Sequence, residues 1–143
     1  MNTATTIPTA PASTLGTADV AATGGRLLLA AIFLLSGWSK LADPAGTIGY
    51  IQSVGLPFPQ VGVAIAIAVE LVGGALLVIG YRTRFVAAAL ALFTLATAIF
   101  FHSALGDQNQ FIHFFKNVAI AGGLLQVIAF GAGRFSLDGR SHA

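Results

Sequence analysis

Five side chains in this sequence could do chemistry together: Lys40, Glu70, His102, Lys116 and Asn117. Glu70 sets the problem, because it is the single charge in the run Val61 to Gly80 (VGVAIAIAVELVGGALLVIG). About twenty helical residues cross the roughly 30 Å hydrocarbon layer of a bilayer. Glu70 therefore falls near the midplane, where a carboxylate costs about 2.5 to 3.5 kcal/mol even on lenient insertion scales. It must be neutral or have a partner, and a carboxyl group held at that depth is suited to carrying protons. Lys40 supplies a cation, His102 an imidazole that can relay protons near neutral pH, and Lys116 and Asn117 supply donors for a polar head group. Each has a plainer reading. Lys40 and Lys116 lie close enough to a span end for their ammonium groups to snorkel into the head-group layer. Asn117 and Gln126 can hydrogen-bond between helices, and Thr94 and Thr97 can bond their own backbone. Arg26 reads as a boundary anchor. His102 and His113, eleven residues apart with Asp107 between them, match no metal-ligand spacing, so no metal is expected.

The elements that must position these residues are membrane helices. Charged residues are 8% of the 143, against about 25% in soluble domains, and the mean hydropathy is +0.86. The expected fold is an all-α integral membrane protein, a four-helix antiparallel bundle with spans at about 24–41, 61–80, 85–101 and 112–130. Open strands of this length cannot cross a bilayer. Residues 1–22, rich in Ala, Thr and Pro, read as a disordered tail, 23–135 as the transmembrane domain and 136–143 as a short C-terminal tail. The tail holds no Lys or Arg, which argues against a cleaved signal peptide. The connection Tyr81-Arg82-Thr83-Arg84 is short enough for a tight hairpin. The longer connection 42–60 holds Asp43-Pro44 and Leu56-Pro57-Phe58-Pro59, where proline favours an extended path, and it is placed to cover the bundle as a partial lid.

Arg26, Arg82, Arg84, Arg134 and Arg140 fall on the side of both termini, and Lys40 and Lys116 on the other. By the positive-inside rule both termini face the cytoplasm and the first and third connections face outward. Ser36, Gly37 and Lys40 share roughly one face of the first span. Gly62, Ala66, Glu70 and Gly74 recur every four residues on the second, a small-residue stripe that lets another helix approach at the level of the carboxylate. The pI near 9.5 rests on seven Lys and Arg against five acids and reflects topology, so no nucleic acid is expected as a partner. Cysteine is absent, which excludes disulfide exchange, thiolate catalysis and Cys-ligated iron–sulfur centres.

The chain resembles the DoxX family of small four-span membrane proteins over roughly Arg26 to Asp138. The resemblance lies in Arg26 with Phe33-Leu34-Leu35-Ser36-Gly37 and Lys40, in Glu70-Leu71-Val72-Gly73-Gly74 followed by Gly80-Tyr81-Arg82-Thr83-Arg84, and in Ala98-Ile99-Phe100-Phe101-His102. It continues in Lys116-Asn117, Gly122-Gly123-Leu124-Leu125 and Gly131-Ala132-Gly133-Arg134-Phe135-Ser136-Leu137-Asp138. Namesakes of that family are associated with thiosulfate:quinone oxidoreductase, and some members with membrane complexes of redox and sulfur-transfer enzymes. The resemblance implies a membrane subunit of a redox system, quinone-linked and oxidising a sulfur compound, in a bacterial-type inner membrane. Glu70 and His102 would then move protons at a bound quinone, while Lys40, Lys116 and Asn117 bind its head group or attract an anionic reductant. Electrons must come from a partner redox protein or substrate, since the chain has no carrier of its own. A second reading is a non-catalytic anchor or assembly subunit that docks an enzyme, either with such a partner or as a homo-oligomer. A third, small-solute transport, lacks the paired broken spans that such a path uses.

Overall fold

A computed structural model describes residues 16–140. Residues 1–15 and 141–143, which hold most of the expected N-terminal tail and the end of the C-terminal one, lie outside the described residues. Among those described, six helices follow one another: α1 (Thr17–Ala42), α2 (Pro44–Ser53), α3 (Pro59–Ile79), α4 (Thr83–Phe101), α5 (Gln108–Phe130) and α6 (Leu137–Arg140). Of these, α1, α3, α4 and α5 are long and apolar enough to cross a bilayer. The chain is a four-span all-α membrane protein, as its apolar runs require.

Local sequence explains several helix boundaries, and some of these differ from the hydropathy reading. Six residues counted there as tail, 17–22, form the first turns of α1. The run is rich in alanine, and the Asp19 carboxylate accepts the Gly16 N–H at 3.3 Å at the helix start. The connection 42–60 is not extended throughout. Asp43-Pro44 opens the ten-residue α2, with Asp43 Oδ1 accepting the Gly46 N–H at 2.9 Å and Pro44 in the first turn, where its missing donor costs nothing. Similarly α5 begins ahead of its apolar run, because Asp107 accepts the Gln110 N–H at 2.9 Å and starts the helix across polar residues.

The tight α3–α4 connection does not give the closest packing in the bundle. Instead α1 lies most closely on α3, and α4 on α5. Glycines at the α1–α3 contact explain the first of these. A Cβ at Gly37 would meet Leu71 Cγ at 2.8 Å and Glu70 Cβ at 3.1 Å, and one at Gly74 would meet Leu34 Cγ at 2.9 Å. The core of Ala30, Phe33, Leu77, Leu90, Leu124 and their neighbours packs the middle of α1 against the halves of α3, α4 and α5 nearer the termini. The opposite halves enclose a cavity.

The terminal end is fastened by three contacts. Gly80 ends α3 in the left-handed region at φ +67, with the Gly80 and Tyr81 N–H groups both donating to the Leu76 carbonyl. Arg26, read from sequence as a boundary anchor, is 1% exposed. Its guanidinium donates to the carbonyls of Leu77 and Val78, freed at the end of α3, and to that of Phe135. Part of the expected C-terminal tail is likewise built into the bundle. Ser136 is buried, and the Asp138 carboxylate accepts the N–H groups of Arg82 and Thr83 at 2.8 and 2.7 Å, supplying from a distance the cap that α4 lacks locally.

Candidate functional site

The cavity opposite the termini has a volume of about 840 Å³ and is lined by Lys40, Glu70, His102, Lys116 and Asn117 together. Each wall comes from a different element. On one side α1 presents Ser36 and Lys40, one turn apart, toward Glu70 on the buried stripe of α3. On the other, α4 presents Thr94 and Thr97, its C-cap residue His102 follows, and α5 presents Lys116 and Asn117. Phe93, Phe100, Ile32, Ile65 and Ile120 make the intervening surface apolar. The connection after α1 forms a partial lid: Tyr50, Ile51, Leu56 and Pro57 line the mouth. Tyr50 stacks on Phe101 with ring centroids 5.4 Å apart, and its hydroxyl donates to the Phe101 carbonyl at 3.1 Å.

The partner that Glu70 needs is Lys40. Its Nζ donates to the two carboxylate oxygens at 3.0 and 2.9 Å and to Ser36 Oγ at 2.7 Å, while Ser36 Oγ donates to Glu70 Oε1 at 3.1 Å. The Glu70 side chain is 7% exposed and that of Lys40 26%. Lys40 is therefore folded onto the carboxylate and does not snorkel outward. A charge-assisted, three-membered set of this kind holds the carboxylate in one orientation. Its ammonium edge meets the cavity.

The other three residues stand across the cavity, and they divide into two groups. His102 Nδ1 lies 2.9 Å from Gln110 Oε1 and its ring stacks on His113 at 5.0 Å, while His113 Nδ1 in turn lies 2.9 Å from Lys116 Nζ. Asn117 Nδ2 donates to Thr97 Oγ1 at 3.3 Å, and Thr97 Oγ1 donates to the Thr94 carbonyl at 2.8 Å. Among the described residues no hydrogen bond or ion pair joins Glu70 to His102, so a proton passing between them must cross the cavity. No group of three or more His, Cys, Asp or Glu able to hold a metal is present among the described residues.

Gln110 and Thr94 were not singled out by sequence as site members. Gln110 is brought to His102 by the turn between α4 and α5, and the Asp107 cap was the available signal. Thr94 is buried in the cavity wall with a hydroxyl that has no hydrogen-bond partner among the described residues. A buried hydroxyl without a partner costs about 1 to 3 kcal/mol, which makes this one a candidate donor or acceptor for a ligand.

Comparison with known proteins follows the same residues. The DoxX family model matches residues 21–103, from the first turns of α1 through His102. Inner membrane protein YqjF of Escherichia coli K12 is 35% identical over 120 residues, covering 84% of this chain and 91% of its own. Inner membrane protein YphA of the same organism is 36% identical over 120 residues, with 80% and 86% covered. The Bacillus subtilis 168 protein named Putative oxidoreductase CatD is 42% identical over 74 residues, 52% of this chain and 53% of that one. No solved structure matches.

Proposed function

We propose, from the premise that this chain belongs to the DoxX family, that it is the membrane subunit of a redox system and holds a quinone in the cavity beside Glu70. The observation that carries this reading is a largely buried ion pair set into the wall of a mainly apolar slot of about 840 Å³. Ligand pockets of roughly 300 to 1,000 Å³ have this make-up: apolar walls for the bulk of the ligand and a few convergent polar groups for its head. The name of CatD lends a redox association. The names of YqjF and YphA support an inner-membrane location. The arginines at the terminal end support cytoplasmic termini.

A bound quinone supplies reversible two-electron chemistry coupled to protons. The chain's own residues would bind and orient it and manage those protons. The Glu70 carboxylate would accept a proton from the cavity side and return it there, with Lys40 and Ser36 fixing its direction. Asn117 and the unpartnered Thr94 hydroxyl offer polar contacts to a ring carbonyl on the opposite wall. His102, at the end of α4 near the mouth, exchanges protons with the aqueous side through the Gln110 and His113 group. Lys116 adds positive charge there, which suits an anionic reductant. Electrons enter from a partner protein or substrate, since cysteine is absent.

The test is a stoichiometric quinone. Protein purified in mild detergent is extracted with organic solvent and analysed by mass spectrometry, wild type beside Glu70→Gln. About one quinone per chain in the wild type, lost in the variant, is the expected result. One observation favours a second reading, a non-catalytic anchor subunit: Lys40, Ser36 and Glu70 satisfy one another without a ligand. Quinone in neither sample would overturn the redox-site reading in favour of that one.

A further inference from the structure

A second cavity, of about 760 Å³, opens at the terminal end of the bundle, and none of the chemistry above uses it. Its walls are the α3–α4 connection, the first turn of α4, the last residue of α5 and the segment 131–139. Three arginines line it, Arg82, Arg84 and Arg134, against one carboxylate, Asp138. That carboxylate is already engaged by the N–H groups of Arg82 and Thr83. Neither Arg82 nor Arg84 forms an ion pair with an acid among the described residues. Arg84 Nη2 reaches only the Ala129 carbonyl, at 3.5 Å, and Arg82 lies 6.0 Å from the Tyr81 ring centre. Thr83, fully buried in the same wall, has a hydroxyl with no partner among the described residues.

From these observations we infer that the cavity is a binding site for the phosphate head group of an anionic phospholipid. Guanidinium forks match phosphate oxygens in pairs, and a basic pocket between helix ends at the membrane surface has the chemistry that recognises such head groups. A pair of exposed aromatic rings selects a lipid over a soluble phosphate. Phe85 and Phe130 flank the cavity on its membrane side, 75% and 80% exposed. Each stands at the boundary of a span, Phe85 one residue beyond Arg84 and Phe130 at the last position of α5, so a phosphate held at the arginines has an apolar aromatic surface beneath it for the acyl chains. A free anion would gain nothing from those rings. The Glu70 cavity lies at the other end of the bundle, so the inference does not depend on what that cavity binds.

Native mass spectrometry of delipidated protein in detergent, titrated with phosphatidylglycerol, phosphatidylcholine or inorganic phosphate, tests the inference. The variants are Arg82→Gln/Arg84→Gln, Arg82→Lys/Arg84→Lys, and Arg140→Gln as a control for charge at the same end outside the cavity. Each cation in contact with the head group contributes about fivefold in affinity, so the double Gln variant should bind phosphatidylglycerol about 25-fold more weakly than wild type. The Lys variant should fall between them, and Arg140→Gln within about twofold of wild type. Helix content by circular dichroism establishes that each variant is folded. Should the Gln variant fail to fold, the Lys variant and the wild-type preference for phosphatidylglycerol over phosphatidylcholine decide. Equal binding of those two lipids by wild type, or unchanged binding in folded variants, would overturn the site. Millimolar phosphate displacing the lipid completely would overturn its assignment to a lipid.

Discussion

Replacing Lys40 by Met should destabilise the bundle far more than replacing Lys40 and Glu70 together. Lys40 Nζ makes contacts of 2.9 and 3.0 Å to the two Glu70 oxygens, and the Glu70 side chain is only 7% exposed. Nearly all the hydration of that carboxylate has been replaced by Lys40 and Ser36. Removing one partner of a buried pair costs about 3 to 5 kcal/mol. The Lys40 side chain is 26% exposed, so water entering from the cavity can replace part of what is lost. The lower end, about 3 kcal/mol, is expected for Lys40→Met. Glu70→Leu leaves a lysine that can reach the head-group layer, and should cost about 1 kcal/mol. Lys40→Met/Glu70→Leu leaves no unpaired charge and should lie within about 1 kcal/mol of wild type, since apolar replacement of a buried pair is often close to neutral. The cycle therefore predicts a coupling of about 3 to 5 kcal/mol. It is measured by unfolding in mixed micelles of rising dodecyl sulfate fraction, followed by far-ultraviolet circular dichroism. A loss under about 1 kcal/mol for Lys40→Met, or additivity within about 0.5 kcal/mol, would refute the claim that Lys40 is what keeps Glu70 tolerable at depth.

Two further substitutions probe the ends of the bundle in the same titration. Gly80→Ala places a Cβ against Ser136 Cβ and 2.7 Å from Arg26 Nη1, at a position with φ +67. Left-handed strain and overpacking together should cost about 2 to 4 kcal/mol, and a loss below about 1 kcal/mol would mean the C-terminal segment does not bear on Gly80. Thr94→Val removes a buried hydroxyl that has no partner, so stability should hold or rise by up to about 1 kcal/mol while bound quinone falls. Unchanged quinone content in that variant would remove Thr94 from the proposed site.

The sequence made the spans legible because each is an apolar run of bilayer length, and it left their ends uncertain because caps and hydropathy answer to different physics. Thr17 to Ala22 is only weakly apolar and joins α1 through alanine propensity and the Asp19 contact. Gln108 to Gln110 is polar and joins α5 through the Asp107 cap. The pairing of Glu70 with Lys40 could be anticipated from depth, since few cations lie within reach of a carboxylate in the outer half of the bundle. Arg26 could not be read in this way. Its acceptors are main-chain carbonyls of Leu77, Val78 and Phe135, and main-chain groups leave no mark in a sequence. The same holds for Asp138, whose partners are the amides of residues 82 and 83. His102 was placed by depth in the right half of the bundle, but its neighbours, Gln110 and the stacked His113, depended on the turn between α4 and α5.

The interior of the bundle is packed by its apolar core toward the termini and open at the Glu70 cavity toward the other end, and this arrangement ties these observations to function. Cavities in helix bundles cost stability, because the atoms lining them lose packing partners. In this chain the cost falls where α1 and α3 are held by the Lys40–Glu70–Ser36 set and where α2 closes over the mouth with Tyr50 on Phe101. The compensation lies at the other end, where Arg26, Gly80 and Asp138 join α1, α3, α4 and the C-terminal segment across more than fifty residues of sequence. A bundle fastened so firmly at one end can keep space between its helices at the other. On this argument, loosening the terminal end should disturb the cavity at a distance. Gly80→Ala should then lower quinone occupancy as well as stability, although Gly80 lies two to three helical turns from Glu70. Quinone binding that survives a large loss of stability in that variant would show that the cavity is held open by its own walls alone.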